Sequence, residues 1–324
     1  MDEVEIGGCL SKKKEFHLLW SGLVSCNVSR MPGSFLFERD ICTGLGDRLG
    51  LVLTLAAFAR LEDAVVVFPW CEDPGPVLPR LTAGIPTWRG YNFSLAEFRR
   101  RFELPKEVAL VRNVTSEHWG LPRVRWENVG VQAEHGSDSV YTVAWRTMRL
   151  GRADVGASEF GRAYKRIGTA LASKWRRREP YAVLHLRGPD ANTPDSYDHD
   201  PSAFCTGKVV RRLQGLGLRF IAMSNNCTWA NDLLGGHLRV SCEDSEAYDD
   251  LGQLLGASAI VQHVWGGWSS FSSVPALAAS IPMITTFRGT PFRPGLFQAQ
   301  GGAPPEMFAC GRREAFVQRV RAVL

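Results

Sequence analysis

The chain has 324 residues, 45% hydrophobic and 22% charged, with 38 basic against 33 acidic side chains and a net charge of +5. This is the balance of an ordinary globular protein, and it excludes an intrinsically disordered, collagen-like or heptad-repeat chain. The mild positive charge suits an anionic small-molecule ligand without requiring nucleic acid, and no apolar run approaches the roughly 20 residues of a membrane span.

In chain order, residues 1–30 show no strong period and read as an N-terminal extension. A short strand is expected at Phe35–Phe37, then a glycine turn at Thr43-Gly44-Leu45-Gly46-Asp47-Arg48. Leu49, Val52, Leu53, Ala56, Ala57 and Arg60 recur at i, i+3, i+4, i+7, i+8 and i+11, all but the last apolar, which predicts an amphipathic helix. The apolar run Ala64–Phe68 predicts a strand stopped by Pro69. A β-turn-α-β unit of this kind opens a parallel sheet. Residues 71–145 are rich in Pro, Trp and Arg. They admit short strands at Glu107–Arg112 and Ser139–Ala144 and a helix near Leu95–Phe102.

A basic helix over 158–178 leads into a clearer second half. Strands are predicted at Tyr181–Leu186, Leu218–Met223, Leu238–Ser241, Ser258–Val264 and Pro282–Phe287. Helices fall at Pro201–Leu213, Thr228–Leu234, a Ser245-capped stretch through Leu255, Ser270–Ser280 and Arg312–Leu324. Apolar strands alternating with helices imply a doubly wound parallel sheet. The expected organisation is α/β, two Rossmann-like halves facing a cleft. The extension covers 1–30, the N-terminal half 31–155, a linker helix 156–178, the C-terminal half 179–300 and a closing helix 301–324.

Eight cysteines, at 9, 26, 42, 71, 205, 227, 242 and 310, show no zinc-knuckle or CxxC spacing, and scattered buried thiols are expected rather than a disulfide framework. Four of the eight asparagines, Asn27, Asn92, Asn113 and Asn226, begin Asn-x-Ser/Thr sequons, where ordinary composition gives about one. The excess leans towards the lumen of the ER or Golgi rather than the cytoplasm. Lys12–Lys14 followed by Phe16–Val24 is a poor secretory leader, because Glu15 and His17 interrupt it.

Four segments could carry chemistry. Gly44-Leu45-Gly46-Asp47-Arg48-Leu49-Gly50 fails the dinucleotide fingerprint, since Leu49 takes the last glycine position, and it lacks the Lys of a P-loop. What remains is a tight turn at a helix N-terminus, where an anion is favoured. His185-Leu186-Arg187-Gly188-Pro189-Asp190 ends a strand. Arg187 offers a planar donor fork for a diphosphate, with His185 on the same face, although a buried ion-pair network would use the same residues. Ser224-Asn225-Asn226, followed by Trp229, could read a base or ribose, or could cap a helix. Trp265-Gly266-Gly267-Trp268-Ser269-Ser270-Phe271-Ser272-Ser273 offers either a phosphate cradle or a Ser-rich cap. The last three end successive strands on one sheet edge, the pattern of a nucleotide-diphosphate site.

The order GLGDRL, HLRGPD, SNN..W and DDLGQLLGASAIVQHVWGGWSSFSSVPALAA resembles the fucosyltransferase-like glycosyltransferases, the α1,2-, α1,6- and protein-O-fucosyltransferase groups, over about residues 35–290. The resemblance implies a GT-B fold, an inverting displacement without metal or other cofactor, and a nucleotide-sugar donor such as GDP-fucose. The acceptor would be a glycan or glycoprotein. It also implies that Arg187 binds the β-phosphate and stabilises the leaving diphosphate, while His185 and Asp190 shape that loop. Gly44, Gly46, Asp47 and Arg48 would approach the donor from the N-terminal half. Ser224, Asn225, Asn226, Ser269, Ser270, Phe271 and Ser272 would hold the nucleoside and phosphates. Two departures put the donor in question: Asn225 and Asn226 replace an acidic pair, and Pro189 interrupts the usual loop. UDP-xylose or another nucleotide sugar is therefore an alternative donor.

An inverting transfer needs a base for the acceptor hydroxyl. Glu72 and Asp73 follow the strand at 64–68, and Asp73 is the first candidate, with Asp47 the second. Asp198-His199-Asp200 mimics a metal-binding Asp-x-Asp but sits among Pro and Asn residues, which favours a polar loop. Trp88, Trp119, Trp126 and Trp145 could stack on sugar or simply pack. The competing classes are a non-catalytic nucleotide- or sugar-binding module and an NAD(P)-dependent oxidoreductase, the latter disfavoured by the failed glycine fingerprint.

Overall fold

The computed structural model describes residues 4–6, 9–11, 33–37, 44–61, 63–72, 93–119, 121, 123–124, 159–188, 203–234, 247–264, 269–286 and 307–324. An antiparallel pair, β1 (Val4–Ile6) and β2 (Cys9–Ser11), lies within the N-terminal extension. The predicted strands at 139–144 and 238–241 fall outside the described residues, as do Ser245 and the Asp198–Asp200 motif.

The N-terminal sheet contains β3 (Ser34–Phe37), β4 (Val65–Pro69), β5 (Val108–Val111) and β6 (Arg123–Val124), all parallel in the order β5-β4-β3-β6. The long helix α1 (Leu45–Leu61) joins β3 to β4, and the short helices α2 (Leu95–Arg101) and α3 (Ser116–Trp119) flank β5. After α4 (Glu159–Ser173), the second sheet is built from β7 (Tyr181–Arg187), β8 (Arg219–Ser224), β9 (Ala259–Val264), β10 (Met283–Thr285) and β11 (Met307–Ala309). Its order is β11-β10-β9-β7-β8, again all parallel. Helices α5 (Ala203–Gln214), α6 (Cys227–Leu234), α7 (Ala247–Gly256), α8 (Ser270–Ala278) and α9 (Arg313–Arg321) complete the chain.

Both sheets are doubly wound. In each, among the described strands, the chain reverses direction of travel across the sheet once: beside β3 in the first, and between β7 and β9 in the second. The carboxyl ends of strands at such reversals are where open α/β sheets receive ligands.

Alternation along β7 sorts its side chains. Tyr181 and Val183 join the core shared with the N-terminal half, whereas Ala182, Leu184 and Leu186 join a second core under α5, α6 and α9. By the same period of two, His185 and Arg187 lie on the face turned towards the N-terminal half. The shared core draws Phe37, Phe68, Leu110, Leu171, Leu251, Ile260 and Met283 into one cluster, so the two sheets are joined by continuous apolar packing.

Helix α1 departs from expectation in two ways. It begins at Leu45, so Gly46, Asp47 and Arg48 occupy its first turn rather than a preceding loop. It is also buried nearly all round rather than on one stripe, because it lies against the N-terminal sheet, α4, α7 and α8 at once. The cysteine expectation is corrected too. Cys205 and Cys310 form a disulfide that ties the start of α5 to the turn before α9, and Cys71 is also disulfide-bonded. The bridged residues stand 105 apart in sequence, so only the fold brings them together. No described helix is long and apolar enough to cross a membrane.

Gly46 sets how closely the halves approach. A Cβ built there would lie 2.5 Å from both the backbone N and the Cα of Phe271, at the start of α8. Backbone atoms cannot swing aside as a side chain can, so Gly46→Ala is expected to destabilise the protein by roughly 1–3 kcal/mol, the usual range for overpacking. The denaturant midpoint measures this, and an unchanged midpoint would refute the close contact.

Candidate active site

The first turn of α1 and the first turn of α8 meet at the Gly46–Phe271 contact, and the end of β7 lies beside them. Asp47 is 6% exposed and accepts a hydrogen bond from the Ser270 side chain, with the Arg187 and Arg48 charges nearby. Burial outweighs these stabilising contacts and raises its carboxyl to about 6. The site thus holds an acid from one half against an arginine and a helix N-terminus from the other.

His185 is held by a chain of hydrogen bonds from β9 and β10. The Thr285 hydroxyl donates to Gln262 Oε1 at 3.0 Å, and Gln262 Nε2 donates to Ser272 Oγ at 2.6 Å. Ser272 Oγ lies 2.8 Å from His185 Nδ1. Gln262 and His185 thus share the Ser272 hydroxyl, which fixes the orientation of the imidazole ring. Burial first, and then the Arg187 charge, lowers the His185 pKa to about 3, so the ring is neutral at ordinary pH. Phe271 packs beside it, ring centroids 5.6 Å apart.

The loop after β7 is fixed from β8. The Gly188 N–H donates to Asn225 Oδ1 at 2.9 Å, and a Cβ at Gly188 would fall 2.6 Å from the Trp229 ring. Asn226 Oδ1 accepts from the Trp229 N–H at 3.1 Å, while Ser224 Oγ accepts from the Asn226 N–H at 3.0 Å. These residues shape the loop and cap α6. Of the two uses the sequence allows Asn226, the structure shows the cap, its carbonyl oxygen accepting from the helix it begins.

Ser269 is the N-cap of α8 and accepts from the Phe271 N–H at 3.3 Å. Its carbonyl accepts from Gln262 Nε2 at 3.1 Å and from the Ser273 hydroxyl. The serines are therefore committed to the protein: Ser269 to the cap, Ser270 to Asp47, Ser272 to His185. The Phe271 N–H is taken by that cap and the Ser273 N–H by the Ser269 carbonyl at 3.2 Å.

Other expected residues sit elsewhere. Arg48 is fully buried, donates from Nη1 to the Cys71 carbonyl at 2.5 Å, and lies over Trp70 and Phe93 at 4.9 and 5.1 Å. It joins α1 to the end of β4, so its guanidinium is held in the core rather than turned to a donor. Gly44 accepts the Arg48 N–H through its carbonyl and caps α1. Glu72 accepts from the Leu95 N–H at 2.7 Å and pairs with Arg112 at 2.6 Å, which commits it to holding α2 and β5. Trp119 is exposed on α3. Asp73, Pro189, Asp190, Trp88, Trp126, Trp145 and 265–268 lie outside the described residues. Among the described residues, no group of three or more His, Cys, Asp or Glu could hold a metal ion.

No protein-family model matches the chain, and no curated protein matches it. Solved structures do. E. coli heptosyltransferase WaaC with ADP matches at 17% identity and TM-score 0.46, covering 90% of this chain and 100% of that one. The iron-containing dodecameric glycosyltransferase TibC from enterotoxigenic E. coli matches at 17% identity and TM-score 0.38, covering 78% of this chain and 57% of that one. Fucosyltransferase NodZ from Bradyrhizobium matches at 12% identity and TM-score 0.41, covering 78% and 95%. The architecture of this chain is α/β, with two Rossmann-like parallel sheets among the described residues.

The Asp47 shift has a direct consequence for stability. The carboxyl titrates at 3.8 when unperturbed and at about 6 in the fold. Between those values the folded chain binds the proton more tightly, so this residue's contribution is complete below pH 3.8 and is lost as pH rises through 6. Asp47→Asn should remove that slope and raise stability at pH 7 by up to about 3 kcal/mol, at ~1.4 kcal/mol per pH unit. Denaturant melts of both proteins at pH 4 and pH 7 measure it, and a variant with the parent's slope would count against it.

Proposed function

We propose that the chain is an inverting, metal-independent glycosyltransferase that moves a sugar from a nucleoside-diphosphate donor to a hydroxyl of a glycan or glycoprotein. GDP-fucose is the first donor to test, and UDP-xylose the second. The observation that carries the reading is the juxtaposition of two helix N-termini, Arg187 and Asp47 where the two sheets' reversals meet. Each helix N-terminus presents roughly half a positive charge. Together with Arg187 these exceed the single Asp47 carboxylate, so the site retains positive potential suited to a diphosphate. The motif resemblance over residues 35–290 supports the same reading.

In this mechanism the acceptor oxygen attacks the anomeric carbon while the bond from that carbon to the diphosphate oxygen breaks. Arg187 and the α8 N–H groups receive the charge that develops on the leaving diphosphate. The His185 ring, neutral and oriented by Ser272, lines the phosphate site without adding charge. Asp47 takes the acceptor's proton. Its pKa of about 6 makes it ionised yet basic at neutral pH. Asp73 remains the other candidate for this proton.

Arg187→Ala should cut transfer by roughly 10²–10³-fold, the usual cost of losing one such donor. It should also abolish the thermal shift produced by GDP or UDP, while the ligand-free protein still melts cooperatively at a midpoint lowered by the loss of Arg187's support for the Asp47 carboxylate. The shift in the parent should survive EDTA. Intact turnover in the variant would overturn the proposal, and a shift lost with EDTA would place a metal in the site. If Asp47 is the base, kcat/KM should rise with pH through about 6, and Asp47→Asn should lose turnover but still bind nucleotide. Full activity in that variant would return the role to Asp73.

A further inference from the structure

Two independent features converge on the compartment in which this chain matures. Cys205–Cys310 is a disulfide and Cys71 is disulfide-bonded, and bridges of this kind persist in oxidising lumens and are rare where thiols are kept reduced. The sequence also carries four Asn-x-Ser/Thr acceptor sites. Two of these, Asn113 and Asn226, lie among the described residues, and the fold treats them in opposite ways.

Asn113 is exposed in the bend between β5 and α3. Among the described strands β5 lies at the edge of its sheet, and Asn113 lies just beyond its carboxyl end. Exposed Arg112 precedes it, and exposed Thr115 follows, with the Thr115 hydroxyl 3.0 Å from His118 Nδ1 within the same surface turn. A bulky substituent on the Asn113 amide therefore has solvent to extend into. Asn226 is half-buried, and its side chain caps α6 through the Trp229 N–H. Its Cβ lies only 3.1 Å from where a Cβ on Gly188 would stand. An oligosaccharide there would crowd the loop that follows Arg187.

We propose that this chain matures in an oxidising secretory lumen and carries an N-linked glycan on Asn113, and that Asn226 is left unmodified. The donor class is a polyprenyl-diphosphate-linked oligosaccharide. A bond forms between the Asn113 amide nitrogen and the anomeric carbon of the oligosaccharide, and the bond from that carbon to the diphosphate oxygen breaks. The amide loses one proton, the polyprenyl diphosphate leaves with the electron pair, and no oxidant is involved. Modification acts on the chain as it enters the lumen, so the fold decides which glycosylated sites remain compatible with the native structure.

The test uses the full chain isolated from the cells that make it. A non-reducing peptide map should show the peptides of Cys205 and Cys310 linked. Peptide-N-glycosidase in heavy-oxygen water should convert Asn113 to Asp with incorporation of the label and should leave Asn226 unlabelled. In the same cells, Asn113→Gln should lose the gel mobility shift contributed by that glycan and Asn226→Gln should keep it. Thr115→Ala, which leaves Asn113 in place, should lose it as well, and Thr115→Ser should retain it. An unlabelled Asn113, free thiols at Cys205 and Cys310, or label on Asn226 would each overturn the proposal.

Discussion

The geometry of the site depends on how closely the first turn of α1 approaches the first turn of α8. With no side chain at Gly46, the helix can rest on the Phe271 backbone, and that contact carries Asp47 to within hydrogen-bonding reach of Ser270 and into the field of Arg187. The apolar cluster that runs from Phe68 through Tyr164 and Leu251 to Met283 holds the halves at that distance. Tyr248 and Arg101 add polar ties, the phenol donating to the Ser94 carbonyl at 3.0 Å and the guanidinium pairing with Asp249 at 2.5 Å. Helices α2 and α7 are thereby fastened across the two halves.

The parts of the fold that were legible in the sequence are those whose period is unambiguous. β7 and β9 are covered on both faces, so Tyr181–Leu186 and Ser258–Val264 read as short continuous apolar runs, and β4 does the same. β6 and β11 were missed because two or three residues carry no period. For α1 the apolar stripe was real, yet burial on every side followed from neighbours that a single helix cannot announce. The disulfide between residues 105 apart is likewise a property of the folded chain alone.

In the site, segments that stand apart in the sequence come together, and their side chains take partners within the protein that spacing does not announce. His185, Arg187, Asp47 and the serines converge, but the serines turn inwards as caps and partners. Short hydroxyl and amide side chains are equally suited to binding a ligand or a nearby backbone group, and spacing alone cannot separate the two uses. Gln262 was overlooked, although a polar pair, Gln262 and His263, inside an otherwise apolar strand was itself a signal. A buried amide must find partners, and Gln262 finds Thr285, Ser272 and the Ser269 carbonyl. On the opposite face His263 meets Thr206 and Thr286.

The pairing of a raised acid with a neutral histidine follows from one dry environment acting on two groups of opposite sign. Burial penalises whichever form carries charge, so it lifts Asp47 and lowers His185. Arg187 opposes the first effect and reinforces the second, since a cation favours a carboxylate and disfavours an imidazolium. A single arginine therefore keeps the acid ionisable near neutrality and keeps the ring uncharged. An anion settling against Arg187 would cancel that field. It would draw the Asp47 carboxyl further upward, towards its protonated form. The arrangement costs stability in the empty site, where Asp47 is buried with incomplete compensation.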